Sequence, residues 1–205
     1  MYNIPYYKAD DDRQVLEFMQ KNSFVILTGC DAENKPVATH VPVLVEEREG
    51  KVFLVGHVKR QADHHKAFVQ NANVLVIFTG PHAYVSASWY NNQKQASTWN
   101  YLTVHAKGAL RFLDEEALVN VLKRTTAHFE NNPDSPSLVE HLDPAYVERL
   151  MKAIVAFEIE VKDIDHVFKL SQNRDEESYR SIVSQLQKGD NEAKQVAEMM
   201  QQRKQ

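Results

Sequence analysis

The stretch Pro36-Val-Ala-Thr-His-Val-Pro-Val-Leu-Val45, continued by Glu46-Glu-Arg-Glu-Gly50 and Val52-Phe-Leu-Val-Gly56, decides the class of fold. Val37, Thr39, Val41 and Val43 fall on one side of an extended chain, and Ala38, His40, Pro42 and Leu44 on the other. That period of two predicts a strand over 36–45. Pro42 has no N–H to give a ladder, which places this strand at an edge or a bulge. The charged turn is too short to hold a crossover helix, so the strand over 52–56 pairs with it antiparallel.

Working outward, Asp10, Asp11 and Asp12 supply cap acceptors for a helix over 10–20, with Val15, Leu16 and Met19 on one face. A short strand follows over 24–28. Downstream come a short helix over 61–70, a buried strand over 74–79 and a break at Gly80-Pro81. Strands over 83–88 and 98–113 flank the polar loop 91–96. Asp114 caps a helix over 117–129, and a turn cluster over 131–137 leads to a helix over 144–152 that opens on proline. A last strand covers 154–161, and 175–203 is helical with a break at Gly189-Asp190. Six or seven strands thus dominate the first 115 residues, with connections too short for repeated crossovers. This favours a small antiparallel barrel with helices over a doubly wound sheet.

The 205 residues carry 24 Lys+Arg against 28 Asp+Glu, so no global field draws the chain to nucleic acid. No apolar run approaches the roughly 20 residues of a membrane span. No basic region followed by an apolar stretch marks a leader, and the expected location is cytoplasmic. Cys30 is the one cysteine, which excludes an internal disulfide and cysteine-based metal sites within these residues. The nine histidines lack H-E-x-x-H spacing, and no metal site is expected. Neither G-x-G-x-x-G, G-x-x-x-x-G-K-[ST] nor G-x-S-x-G occurs.

Three clusters could carry chemistry. In His57-Val-Lys59-Arg60 a strand ends and a helix begins, and Lys59, Arg60 and Lys66 outnumber Asp63. Such a turn suits a phosphate monoester, or is an ordinary solvated basic turn. The stretches Gly80-Pro-His-Ala-Tyr-Val-Ser-Ala-Ser-Trp-Tyr90 and Thr98-Trp-Asn-Tyr-Leu-Thr-Val-His-Ala-Lys-Gly108 hold both tryptophans and three of the eight tyrosines. Aromatics beside Ser86, Ser88 and Asn100 could stack on a flat heteroaromatic ligand, or form a core strand pair. Lys169-Leu-Ser-Gln-Asn-Arg174 could close over a ligand, or cap the next helix.

Taken in order, these stretches resemble the PaiB-like FMN-binding split-barrel family, described as negative transcriptional regulators. The likeness runs from Met1-Tyr-Asn-Ile-Pro5 through Gly56-His57 and both aromatic stretches to KLSQNR, and reaches about residue 188. Ala87 stands where the family pattern has proline, and Ala96-Ser97 where it has Val-Pro. The resemblance implies an α+β fold, an antiparallel split β-barrel with peripheral helices and a C-terminal helical segment. It implies one FMN-binding domain over 1–170, including a helical insertion over 114–152, and an extension over 171–205. It also implies a homodimer with FMN in a cleft between subunits. Lys59 and Arg60 would take the phosphate, with His57 alongside. Asn100 would face the flavin, flanked by Trp99 and Tyr101, with Ser86 and Ser88 near by. Lys169, Gln172, Asn173 and Arg174 would complete that pocket or the dimer interface.

Three functions stay open at this level. One is a flavin-binding transcriptional regulator; direct DNA contact is left open but is unsupported by charge, since 169–205 carry seven Lys/Arg against six Asp/Glu. The second is an FMN-dependent oxidoreductase or flavin reductase, with Tyr84, His105 and Asn100 as residues to test. The third is haem binding or degradation by one of the histidines. Whether the chain is an enzyme is undecided by its residues.

Overall fold

The computed structural model describes residues 1–92 and 94–203, so residue 93 of the expected polar loop and the last two residues of the expected extension lie outside it. The helices are α1 (Asp12–Lys21), α2 (Asp63–Gln70), α3 (Glu115–Glu130), α4 (Pro144–Met151), α5 (Glu176–Leu186) and α6 (Asn191–Gln202). The strands are β1 (Phe24–Cys30), β2 (Pro36–Pro42), β3 (Leu44–Arg48), β4 (Lys51–Lys59), β5 (Asn73–Val85), β6 (Thr98–Phe112) and β7 (Ile154–Lys169). They form one sheet in the order β2-β1-β5-β6-β7-β4-β3. The β1–β2, β1–β5, β3–β4 and β4–β7 pairs are all antiparallel. The architecture is α+β, as expected.

The alternating stretch over 36–45 is two strands rather than one. β2 ends at Pro42 and pairs with β1, from Phe24↔Pro42 to Cys30↔Pro36. Val43 then donates its N–H to Ser23 O at 2.9 Å, and β3 starts one residue later. The proline without a donor is the physical reason for the division. The antiparallel hairpin is β3–β4, with Arg48 opposite Lys51. Glu49 (φ 52°) and Gly50 (φ 74°) both sit in the left-handed region, the two-residue turn whose twist matches that of a hairpin.

Two compact units divide the chain. The central unit holds Met19–Phe78 and His105–Ile164; the terminal unit holds Met1–Phe18, Thr79–Val104 and the described part of Asp165–Gln205. β5, β6 and β7 run from one into the other. In the central unit, Leu54, Phe157 and Ile159 are buried on one face of the β4–β7 pair. On the other face α3 lays Leu118 and Val121 over Val55 and Ala156, with Leu113, Leu122, Met151 and Ile154 around them.

β6 and β7 approach closely at Gly108, where a Cβ would lie 2.4 Å from Glu160 O and 2.7 Å from Ile159 Cγ2. Backbone cannot yield there as a flexible side chain would. Gly108→Ala is expected to cost about 3 kcal/mol and to lower the melting temperature by roughly 8 °C. Calorimetry at one protein concentration checks this, and an unchanged melting point refutes it.

In the terminal unit, the break expected at Gly80-Pro81 does not occur, and β5 is continuous from Asn73 to Val85. β1 pairs with β5 only as far as Ile77, so Pro81 lies beyond the end of that ladder. The backbone N–H of His82 donates to Glu192 Oε2 of α6 at 3.1 Å. At Gly80 a Cβ would meet the Phe18 ring at 2.7 Å, so the missing side chain admits that ring. α5 and α6 form a hairpin around Ile182, Leu186, Val196 and Met200, closed by the Tyr179 hydroxyl donating to Met200 O at 2.6 Å. Arg203 returns to the N-terminal segment, donating to Lys8 O at 3.0 Å. No helix among the described residues is long and apolar enough to cross a membrane.

Candidate functional site

The expected residues fall into two groups, one in each unit. In the central unit, His57 and Lys59 lie on the β4 face shared with Val55, opposite Ala156 and Ile154. Arg60 follows, its N–H donating to Ala153 O at 2.8 Å. Gln61 then takes a left-handed conformation (φ 63°) that turns the chain into α2. Ala62, at the N-cap of α2, offers no side-chain acceptor to the first-turn N–H groups.

The polar balance of this turn favours a ligand rich in acceptors. No ion-pair partner of Lys59 or Arg60 occurs among the described residues. Nδ1 of His57 is buried without a hydrogen-bond partner. Burial holds the His57 imidazole below its ordinary value of 6.5, so at neutral pH it is an uncharged ring that can donate one proton. The nearby acid Asp63 is occupied, accepting the His64 N–H at 2.7 Å, with His64 Nδ1 at 3.1 Å. Two cations, an unsatisfied imidazole nitrogen and an uncapped helix start fit the phosphate of a nucleotide cofactor.

In the terminal unit, the alternation of β6 sorts its residues by face. Trp99 and Tyr101 point outward, while Asn100 and Leu102 point inward. Trp99 is 53% exposed and packs edge-on to Tyr84 with ring centroids 5.8 Å apart, and 6.0 Å from His82. This outer face offers stacking surface to a planar ring. Burial raises the Tyr101 phenol above its ordinary value, with Tyr2 adding to the effect.

Asn100 is wholly buried, accepting from the Ser171 hydroxyl at 3.1 Å and donating to Met200 Sδ at 3.5 Å. Its amide therefore ties β6 to α6 and to the turn after β7. Ser171 itself has a positive φ of 61°. Ser86 caps a short 3-10 turn at Ala87–Trp89, with its hydroxyl 2.8 Å from that of Ser88.

Lys169 donates to Thr98 Oγ1 and lies 5.7 Å from the Tyr7 ring centroid. Burial lowers its pKa, and the neighbouring Arg174 lowers it further. Arg174 donates to Gln95 and stacks 4.0 Å over the Tyr90 ring. Neither cation has a carboxylate partner among the described residues. Gln172 closes its own turn, accepting from Leu170 N at 2.7 Å and donating to Phe168 O. Asn173 is exposed. Sequence reasoning missed Thr98, Tyr7 and Met200 as partners, because nothing in the local pattern marks contacts between segments so far apart in the chain.

The seven-stranded sheet with its peripheral helices has the α+β architecture of a split-barrel protein. Residues 1–163 match the family described as "Putative FMN-binding domain". The chain belongs to that family, and FMN is its cofactor. It is 37% identical, over 98% of its length and 96% of the relative, to protease synthase and sporulation protein PAI 2 of Bacillus subtilis. Among solved structures it resembles the flavocytochrome Anf3 from Azotobacter vinelandii, with a TM-score of 0.59, 16% identity, and coverage of 88% of this chain and 78% of that one. It also resembles the FAD and heme binding protein from Mycobacterium smegmatis, with a TM-score of 0.58, 15% identity, and coverage of 78% and 72%. At these identities the two structures speak for the fold.

Proposed function

We propose that the chain is a homodimeric, cytoplasmic FMN-binding regulator of the PaiB-like type, with FMN in a cleft between two subunits. The observation that carries this reading is the basic turn at 57–60, where two cations and a buried imidazole nitrogen lack protein partners. The chain's 37% identity to the Bacillus subtilis protease synthase and sporulation protein PAI 2 supports the PaiB-like half.

Lys59 and Arg60 bind the phosphate, and His57 donates beside them from a neutral ring. Trp99 and Tyr101 present the stacking face, with Ser86 and Ser88 at its polar edge. Lys169 and Arg174, cations with no carboxylate partner among the described residues, would supply positive charge to the pocket, and Asn173 a polar group at the same turn. Asn100 and Gln172 act by position, the first fixing β6 behind Trp99 and the second fixing the turn that carries Arg174. When bound, FMN supplies the redox chemistry of its ring.

Protein incubated with FMN and dialysed is expected to keep flavin absorption near ~370 and ~450 nm and to sediment as a dimer. No retained flavin at tens of micromolar, roughly -6 kcal/mol, overturns the cofactor half; a monomer overturns the cleft. A Soret band on haem addition, lost in one His→Ala variant, moves the reading to haem.

A further inference from the structure

A second cleft lies in the central unit, between the start of α3 and the β3–β4–β7 face, with a volume of about 780 Å³. Its floor is apolar, made by Val55, Leu113 and Val121. Its wall is an ion network. Glu158 is 5% exposed and sits directly across from Val55. It accepts from Arg48 Nη1 at 2.7 Å on one oxygen, and from Arg111 Nη2 at 2.7 Å and Nε at 3.1 Å on the other. Arg48 also pairs with Glu46 at 2.6 Å, and Arg124 pairs with the same carboxylate.

Both oxygens of Glu158 are thus hydrogen-bonded by arginines, and Glu46 is ion-paired on both oxygens although its Oε1 accepts no hydrogen bond; the arginines keep donors to spare. No partner for Arg111 Nη1, or for Nε and Nη1 of Arg124, occurs among the described residues. The Arg111 and Arg124 side chains remain 69% and 43% exposed. Asp114 and Glu116 also line the cleft, and Asp114 turns Oδ1 to the Ala117 N–H at 2.9 Å as the cap of α3. The open capacity of the arginines is donor, held in place by the buried Glu158 and the half-buried Glu46 and set above an apolar floor. The acids that line the cleft, Glu46, Asp114, Glu116 and Glu158, outnumber its three arginines by one, so binding there rests on the direction of the open arginine donors and not on net charge. A guanidinium fixed from behind binds a carboxylate with little loss of side-chain freedom, and the volume lies within the range of small-molecule sites.

We propose that this cleft binds a small monocarboxylate with an apolar body, gripped by Arg111 and Arg124 over Val55, Leu113 and Val121. It is separate from the FMN turn, and none of its lining residues belongs to that turn.

The test titrates the FMN-loaded, isotope-labelled protein with 4-phenylbutyrate and, separately, with 4-phenyl-1-butanol. Backbone and arginine side-chain resonances are followed. The carboxylate is expected to saturate with a Kd below about 1 mM, shifting resonances of α3 and Glu158, and the alcohol to bind at least about tenfold more weakly. Arg111→Gln and Arg124→Gln should each weaken the carboxylate by about tenfold while leaving the flavin spectrum unchanged. Arg111→Gln leaves Glu158 half-paired and could misfold; Arg124→Gln does not touch Glu158 and then decides alone. No saturation at about 10 mM, equal binding of acid and alcohol, or undiminished binding in Arg124→Gln overturns the proposal.

Discussion

The double variant Lys59→Gln/Arg60→Gln is expected to bind FMN at least about 100-fold more weakly than the wild type. A hydrogen bond to a charged group contributes about 1.5–3 kcal/mol when shielded. Lys59 is exposed, so solvent screening reduces its share to about 1 kcal/mol; Arg60 is half-buried and contributes about 2 kcal/mol. Together they amount to about 3 kcal/mol, or about two powers of ten in Kd. Flavin fluorescence titration measures it, with riboflavin as the control because it lacks the phosphate. The variant should bind riboflavin as the wild type does. Equal weakening of both ligands would mean a damaged fold rather than a lost phosphate site, and unchanged FMN affinity would remove the assignment. Raising salt should erode the wild-type advantage, since the Lys59 part is open to screening.

What the chain discloses before folding follows the range of each interaction. The alternation over 36–45, the charged turn and the Asp114 cap are local and each leaves a trace in the structure, though the turn expected over 46–50 closes to Glu49 and Gly50 because β3 runs on to Arg48. The division at Pro42 was visible as a missing donor, but not its result, because pairing partners lie elsewhere in the chain. Gly80-Pro81 misled for the same reason. Its local pattern is that of a breaker, yet the β1 ladder ends at Ile77 and asks no hydrogen bond of the proline. The basic turn was legible as composition, whereas the unsatisfied His57 nitrogen depends on what covers it. Asn100 shows the limit most plainly. Residue type and position favoured a ligand contact, but Ser171 and Met200, 71 and 100 residues away, claim both ends of its amide. The arginine cleft had no sequence signal at all, since Arg48, Arg111 and Glu158 stand on three different strands.

Glu158 is where the ion network and the stability of the central unit meet. Glu158→Ala is expected to destabilise the fold by about 3 kcal/mol, the lower end for breaking a buried pair, because Arg48 and Arg111 are 42% and 69% exposed and recover part of their hydration. The loss has two sources: the removed acceptor, and two guanidiniums left facing one another across β4 and β7. Glu158→Gln keeps the volume and one acceptor oxygen, and should cost about half as much. Burial by itself would raise the Glu158 carboxyl, but hydrogen bonds from Arg111 and Arg48 outweigh it and hold the group below its ordinary 4.5. A carboxyl depressed in the fold contributes stability that is fully present above the unfolded value and is lost as pH falls through the folded one. The difference between wild type and Glu158→Gln should therefore be constant from pH 8 to about 5 and close progressively below about 4.5. Urea denaturation at fixed protein concentration, repeated across that range, measures it. A difference that stays unchanged down to about pH 3 would assign the stabilisation to packing. The arginines would then be held by shape, and their order at the cleft would no longer depend on the charge behind them.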